Sequence, residues 1–381
     1  MSVNEFFSAS YQEARTKFLN AAVAANIDIS SHRLPTRKGP DGLELFIDVG
    51  YRRAEEQRNL LVVISGTHGV EGFCGSGCQV GLLRDQVYEA LPNNVGLVLV
   101  HASNPYGFAY LRRVNEDNVD LNRNFHDFSE PLPPSTAYEG IHDALVPLDW
   151  DGPFHLSADA EIQKYIQTHG LPAFQAAVSG GQYSRPNGLF FGGTGETWSN
   201  ITFRKIMSEL LTDQTEKIAV LDLHTGLGPS GYGEPIYPGT DLAEYLRAIK
   251  WFGPEVTSTI KGDSASAQVS GSLADAIHNF AAKIQHTFLA VEYGTVPLKQ
   301  VLTALRADNW LNAHADQGRT LRGAIKKQIQ DAFYVDQRWW KAAVYGRSVD
   351  MFLRAARGLG REPDERRSVL GYLFSDKGDA G

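Results

Sequence analysis

The chain has 381 residues, a net charge of −8 at pH 7 and two cysteines. This length suits one large α/β domain with extensions, and two cysteines are too few for a disulfide scaffold. The chain is acidic and has no basic run, no apolar segment of membrane-spanning length and no signal-peptide pattern. We therefore expect a cytoplasmic protein with neither nucleic acid nor a membrane as a partner. The sequence leaves the oligomeric state open.

The first part of the chain alternates helical and strand patterns. Residues 3–26 have apolar side chains at helical spacing, and a turn-rich link follows at 34–42. Strand patterns come next at 43–49, 60–65 and 97–100. The run at 60–65 is apolar almost without a break, which is typical of a strand buried on both faces of a parallel sheet.

A glycine-rich helix is predicted at 73–83, between the second and third of these strands. Each glycine in a helix costs about 1 kcal/mol relative to alanine, so this composition predicts a helix packed very close to the sheet. Cys74 and Cys78 lie one turn apart in it and are interpreted as small core residues, because no basic side chain flanks them.

The rest of the chain begins with an unusual segment. Residues 126–187 are rich in proline, aromatic and turn residues, and they predict an insertion that covers or shapes a site, with one helix near 158–169. The α/β pattern then resumes in the order 197–212 (helix), 218–223 (strand), 241–251 and 272–283 (helices) and 287–291 (strand). Helical spacing continues from 298 to about 358.

Three predicted strands end at side chains that can bind metals or protons. The strand at 60–65 is followed by His68 and Glu71, both good zinc ligands, although the spacing H-x-x-E alone recurs by chance. Two later strands end in the same way at His224 and Glu292. Because ligands bind at the carboxyl ends of strands in an open α/β sheet, these side chains predict a site there.

A dense polar segment at 112–125 stands between apolar elements and is typical of a binding loop. Together with the strand ends, it resembles the zinc carboxypeptidase superfamily, the carboxypeptidase A-like hydrolases that include aspartoacylase and succinylglutamate desuccinylase. Within that superfamily it looks like the uncharacterised bacterial branch of carboxypeptidase-like proteins. The resemblance covers about 43–295 and rests on motif order: His-x-x-Glu, Asn-Pro-x-Gly (104–107), Arg113 with Val-Asp-Leu-Asn-Arg-Asn-Phe (119–125), Asp-Leu-His (222–224) and a strand-terminal Glu.

The resemblance implies one zinc ion per chain, bound by His68, Glu71 and His224, with a fourth position open for water. Glu292 would act as general base and acid, as its family counterpart does. Arg113 would stabilise the negative charge that develops on the substrate oxygen.

The resemblance also implies that Asn122 and Arg123 hold a substrate carboxylate, for which arginine offers a bidentate fork. The expected reaction is hydrolysis of a peptide or amide bond beside that carboxylate, in a small peptide or an N-acyl amino acid. Ser266 falls where the peptidases of the family have a tyrosine that closes over the substrate. The motif Thr-His-Gly-x-Glu favours the acylase branch, whereas the spacing from Arg113 to Asn122 favours bacterial peptidases. Both activities therefore stay open.

The implied organisation is a mixed, mostly parallel α/β sheet with helices on both faces. An N-terminal helix and link occupy 1–42, and the zinc carboxypeptidase-like catalytic domain occupies 43–297. A helical segment at 298–370 packs on the same domain, and a tail follows at 371–381.

Three other classes of protein fit less well. Residues 226–231 satisfy G-x-G-x-x-G, but His224 and Thr225 separate them from the strand and no helix can begin there, as a dinucleotide site requires. No G-x-S-x-G motif occurs, so a serine hydrolase of that type lacks its nucleophile. A silent binding protein that had lost its chemistry would lack Glu292 or a metal ligand, and the chain has them all.

Overall fold

The central feature of the computed structural model, which describes residues 2–360, is one eight-stranded sheet. Its strands are β1 (Asp28–Lys38), β2 (Glu44–Arg52), β3 (Asn59–Ser65), β4 (Val95–His101), β5 (Lys217–Gly226), β6 (Gly233–Tyr237), β7 (Thr257–Ser258) and β8 (Gln285–Gly294). They lie in the order β1-β2-β4-β3-β5-β8-β6-β7. The four central strands, β4, β3, β5 and β8, are parallel, whereas β2 and β6 run antiparallel to them.

Helices cover both faces of this sheet, so the predicted fold class is confirmed. The helices are α1 (Tyr11–Ala24), α2 (Gly72–Arg84), α3 (Pro105–Ala109), α4 (Thr136–Glu139), α5 (His142–Leu145), α6 (Pro153–His169), α7 (Leu171–Ser179), α8 (Trp198–Leu210), α9 (Leu242–Phe252), α10 (Leu273–Phe280), α11 (Leu298–Ala313), α12 (Arg322–Phe333) and α13 (Arg338–Gly360). Helices α1, α2, α9 and α13 pack on one face, and α8 and α10 on the other. Between residues 2 and 360, none of the helices has the length and apolarity needed to span a bilayer.

Strand β3 is buried on both faces because every side chain along it is apolar or hydrogen-bonded. Successive side chains of a strand point to opposite faces. Leu61 and Val63 accordingly join the core on the α1 and α2 side, while Val62 and Ile64 join the core on the α8 and α10 side. The apolar run in the sequence is continuous because β3 contributes side chains to two hydrophobic cores, one on each face of the sheet.

The glycines of α2 allow it to lie directly on the sheet. A Cβ atom added at Gly75 would lie 2.7 Å from Cβ of Ser65 in β3, and one at Gly77 would lie 2.3 Å from the Phe7 ring. The close packing predicted from the glycine content is therefore found, and Cys74 and Cys78 are buried in the same core.

Three segments differ from the sequence-based predictions. The link predicted at 34–42 is strand up to Lys38, because β1 pairs with β2 at the edge of the sheet. Strand β1 is mostly exposed and polar, so it lacks the apolar alternation that marks a strand. Strands β6 and β7 were missed because they are short and β6 contains a glycine and a proline.

The predicted helix at 3–26 and the predicted insertion also differ in detail. The first is a short 3-10 turn (Val3–Glu5) followed by α1, which begins after Ser10, whose side chain accepts a hydrogen bond from Glu13 N. The insertion contains four helices, α4 to α7, where one was predicted. Residues 361–370 of the predicted C-terminal segment and the tail at 371–381 lie outside the described residues.

Candidate metal centre

The loop that carries His68 and Glu71 is held tightly by a neighbouring segment. Gly69 N donates to Arg113 O at 3.0 Å, and Val70 N donates to Arg112 O at 2.8 Å. A Cβ atom at position 69 would lie 2.0 Å from the carbonyl carbon of Gly107, so only glycine fits there. The backbone contacts therefore fix the loop that carries His68 and Glu71 against the segment that delivers Arg113.

His68, Glu71 and His224 come together at the carboxyl ends of β3 and β5. Glu71 Oε1 lies 2.9 Å from His68 Nδ1, Glu71 Oε2 lies 3.0 Å from His224 Nδ1, and the two Nδ1 atoms are 3.2 Å apart. All three side chains are buried. Zinc bonds of 2.0–2.1 Å in a tetrahedron separate neighbouring ligand atoms by about 3.3 Å, so this donor set fits zinc.

The Glu71 side chain is negatively charged, which is the form in which a carboxylate binds a metal. Burial alone would raise the pKa of this carboxyl group, but the adjacent imidazoles of His68 and His224 lower it below its usual range. Glu71 also accepts a hydrogen bond from Thr225 N at 3.1 Å. The side chain is therefore held in its anionic, metal-binding form.

Two aspartates contact the imidazole nitrogens that do not face the donor centre. Asp222 Oδ2 lies 2.6 Å from His224 Nε2, and its other oxygen accepts from Thr67 Oγ1 at 2.8 Å. Asp120 Oδ1 lies 3.2 Å from His68 Nε2. At His224 the Asp222 carboxylate keeps the proton on Nε2 and leaves Nδ1 available to a metal, whereas Nε2 of His68 also faces the donor Nη2 of Arg113 at 2.7 Å. Asp120 and Asp222 are not among the predicted site residues, although both lie inside the motifs that carry the family resemblance.

We expect Asp222→Asn to weaken zinc binding by about 10–100-fold, because the amide is a poorer acceptor for the Nε2 proton of His224. The dissociation constant is measured by competition with a chelator. Asp213→Asn, an exposed position, serves as the control. An unchanged dissociation constant in Asp222→Asn would mean that this carboxylate does not support the ligand.

Glu292 lies beside the donors on the next strand. It is the Cα partner of His224 in the β5–β8 ladder, and its Oε1 accepts from Leu227 N at 2.9 Å. Burial raises the pKa of Glu292 to about 7, and the negative charge of Glu71 adds to the rise. A carboxyl group that titrates near neutral pH is suited to accepting and returning a proton.

Arg113 faces the same point from the loop after α3. Its Nε donates to Asp120 Oδ2 at 2.9 Å, its Nη1 donates to Glu71 Oε1 at 3.3 Å, and its Nη2 lies 2.7 Å from His68 Nε2. The guanidinium group lies 5.1 Å from the centre of the Phe190 ring. Asp120 therefore positions both His68 and Arg113.

Asn122 and Arg123 form a second polar group near the donors. Asn122 Oδ1 accepts from Leu273 N at the start of α10, at 2.9 Å. Arg123 is buried and donates to backbone carbonyls, from Nη1 to Asn122 O at 2.7 Å and from Nε to Ser179 O at 3.0 Å. Among residues 2–360, no carboxylate lies within ion-pair distance of Arg123, although the negative charge of Asp120 acts on it from further away; burial lowers the pKa of its guanidinium group.

The metal donors and the predicted catalytic and substrate-binding side chains line one cavity of about 510 Å³. The lining includes every residue to which the sequence analysis gave a role: His68, Glu71, Arg113, Asn122, Arg123, His224 and Glu292. Ser266 lines it as well, with the small neighbours Ala265 and Ala267. The cavity thus brings metal donors, a titratable carboxyl group and two guanidinium groups to one space.

A second group of metal-type donors lies away from this cavity. Glu244, His278 and His286 have ligand atoms within 4.8 Å of one another. His278 is exposed, and Glu244 already accepts from Tyr237 OH and Phe288 N. This group provides a control for metal-binding experiments at the main site.

The fold and the donor set define an α/β protein with a His–Glu–His centre at the carboxyl ends of its parallel strands. More particularly, the chain belongs to the family described as protein of unknown function (DUF2817), whose model matches residues 7–347. Comparison with curated proteins finds no match.

Three solved structures illustrate what the chain is similar to. Carboxypeptidase A from Helicoverpa armigera is 14% identical with a TM-score of 0.45, over 92% of this chain and 75% of that one. The metallo-carboxypeptidase from Burkholderia cenocepacia is 11% identical with a TM-score of 0.45, over 90% and 68%. An aspartoacylase family protein from Mesorhizobium loti is 16% identical with a TM-score of 0.35, over 75% and 66%.

Proposed function

We propose that this protein is a zinc-dependent hydrolase that cleaves a peptide or amide bond beside a free carboxylate. The observation that carries the proposal is the shared cavity, in which a His–Glu–His donor set lies next to a carboxyl group with a pKa near 7 and a buried arginine without an ion pair. Each of these features is costly to maintain in a buried site without a ligand.

The residues divide the chemical work. Bound zinc would lower the pKa of a water molecule and polarise the scissile carbonyl. Glu292 accepts the proton of that water and passes it to the leaving nitrogen. Arg113, held by Asp120, donates to the carbonyl oxygen as negative charge develops on it.

Arg123 and Asn122 provide the binding site for the carboxylate. The Arg123 guanidinium lies 5.7 Å from the centre of the Phe190 ring and has no anionic partner in the described part of the chain. A substrate carboxylate would supply that partner through a charge-assisted, bidentate contact. The clamp also orients the amide, because it holds one end of the substrate at a fixed place relative to the donors.

We expect wild-type enzyme to prefer a free carboxyl to its amidated counterpart by about 10²–10⁴-fold in kcat/KM, because the amidated substrate leaves Arg123 unpaired. Arg123→Ala should lose most of this preference, and Arg123→Lys should not restore it, since a point charge lacks the bidentate fork. The measurement is kcat/KM for matched pairs of peptides and of N-acyl amino acids.

Arg185→Ala is the matched control, because Arg185 lies in the insertion that follows Arg123 but is exposed and pairs with Glu139. It should keep the preference for a free carboxyl. Equal rates for the two substrates in wild-type protein would contradict the carboxylate clamp and favour a metal-dependent amidase. Absence of turnover across the panel in zinc-loaded protein would favour a binding protein that has kept the pocket.

A further inference from the structure

The second donor group, formed by Glu244, His278 and His286, has the spacing of a metal site. His278 Nδ1 lies 3.3 Å from His286 Nε2, and His286 Nε2 lies 3.4 Å from Glu244 Oε2. All three donor atoms lie within 4.8 Å of one another, and none of the three side chains lines the cavity. Neighbouring ligand atoms of a tetrahedral zinc ion are separated by about 3.3 Å, so both close contacts match the spacing that zinc requires.

Elements from both faces of the sheet meet at this group. Glu244 is on α9, which packs on one face, and His278 is on α10, which packs on the other. His286 is at the start of β8, and its side chain is on the same face as that of Phe288, which packs with α10. The ladder between β6 and β8 ends at Ala290, and beyond it Glu244 Oε1 accepts from Phe288 N at 2.9 Å. Glu244 thus reaches His286 past the end of β6.

Nε2 of His286 faces two other electron-rich atoms. Nδ1 of this ring lies 3.2 Å from Ile284 O, and a carbonyl oxygen there keeps the proton on Nδ1 and leaves a lone pair on Nε2. The His286 side chain is 11% exposed and that of Glu244 is 5% exposed, so water screens their contact poorly. A cation at this point removes the repulsion. A proton bridges one pair of atoms, whereas a metal ion can bind all three donors at once.

The surroundings of Glu244 and His278 are compatible with a bound ion. Glu244 Oε2 also accepts from Tyr237 OH at 3.2 Å, and a carboxylate oxygen has a further lone pair for a metal. The two hydrogen bonds of Glu244 fix its side chain in place before a metal binds. His278 is exposed, so an ion can enter from solvent and keep water in its remaining position.

One nearby charge limits the affinity of the group. Arg247, one turn after Glu244 in α9, donates to Thr287 Oγ1 at 2.8 Å and interacts electrostatically with Glu244. Its positive charge opposes the binding of a cation, and the exposure of His278 weakens the attraction further. We therefore expect dialysis against metal-free buffer to empty this group while the donors at His68, Glu71 and His224 retain their zinc.

We propose that the second donor group is a second metal site, which binds zinc or a similar divalent transition ion. Two imidazoles and one carboxylate suit such ions, whereas magnesium and calcium prefer oxygen ligands throughout. The bound ion would join α9, α10 and β8, and thereby connect the helical layers on the two faces of the sheet. Binding at this group is independent of the reaction proposed above.

The test is a calorimetric titration of zinc into dialysed wild-type protein. We expect one further zinc per chain with a dissociation constant on the order of 10 μM, weaker than that of structural zinc sites. The Tm should rise by about 3 °C at a free zinc concentration 100 times that constant. His278→Ala should weaken this binding by at least about 100-fold, since a lost ligand costs more than a lost outer-shell partner. His169→Ala, which removes an exposed histidine outside both donor groups, is the control that should leave it unchanged.

A titration of the His68→Ala/His224→Ala variant separates the two sites. This variant should still bind one zinc with the weaker constant, whatever the function of the main site. Circular dichroism shows that each variant is folded, and Glu244→Gln is a second variant that should weaken binding. A weaker event that persists unchanged in His278→Ala and Glu244→Gln, or that magnesium reproduces with equal affinity, would overturn the proposal. Absence of any further zinc in folded wild-type protein would overturn it as well, and would mean that a proton occupies the position between the donors.

Discussion

Replacement of Glu292 by glutamine is expected to reduce kcat by about 10²–10⁴-fold while leaving the zinc content unchanged. Glutamine keeps the size of the side chain and can still accept from Leu227 N, but it cannot take a proton from water. Glu292 is not among the donors that meet at the centre, so its neutralisation leaves the His68–Glu71–His224 set intact.

Zinc content by elemental analysis and kcat on the best substrate are measured on the same preparation. Glu234→Gln is the matched control, since Glu234 is buried opposite Glu292 on β6 and contacts Thr257 rather than the cavity. Wild-type kcat/KM should decrease as the pH falls and Glu292 becomes protonated, whereas the residual activity of the glutamine variant should lack this dependence. Loss of zinc from Glu292→Gln would instead reassign the residue as a ligand.

The double variant His68→Ala/His224→Ala is expected to bind almost no zinc and to lose all measurable activity. Two of the three donors disappear, and Glu71 remains as a single carboxylate that already accepts from Arg113 and Thr225 N. One carboxylate does not hold zinc against the surrounding water, because structural and catalytic sites use at least three protein ligands.

Elemental analysis of wild type should give about one zinc per chain, the number implied by one three-ligand site. His278→Ala is the control, since it removes a histidine of the second donor group and leaves the cavity untouched. Circular dichroism shows whether each variant is folded. Full zinc occupancy in the folded double variant would show that His68 and His224 are not the ligands.

The sequence predicted the central strands well and the edges of the sheet poorly. Strands β3, β4, β5 and β8 lie between two layers of helices, and burial on both faces leaves long apolar runs in the sequence. Strand β1 has mostly exposed side chains, and it is strand because its backbone pairs with β2. Backbone pairing at the edge of a sheet does not require particular side chains, so an edge strand has no clear pattern in the sequence.

For the candidate site, too, some features could be predicted from the sequence and others could not. Residues at strand ends could be placed together because parallel strands end at one side of a sheet, and His68, His224 and Glu292 do line one cavity. The supporting role of Asp222 depends on which nitrogen of His224 faces the centre, and sequence does not specify the rotation of a side chain. The helical wall of the cavity depends on how α6 and α7 pack against α11, which is a matter of long-range contacts.

The pairing of β5 with β8 has a consequence for how a protein with this site can diversify. His224 and Glu292 are Cα partners on the same rung of that ladder, so the separation of the candidate metal ligand and the proposed proton carrier follows from the strand spacing of about 4.8 Å. Insertions or substitutions in α4 to α7 change the wall that meets the substrate without altering this rung. Under the proposed function, the range of substrates can therefore change, or be redesigned, while the metal donors and Glu292 stay in place.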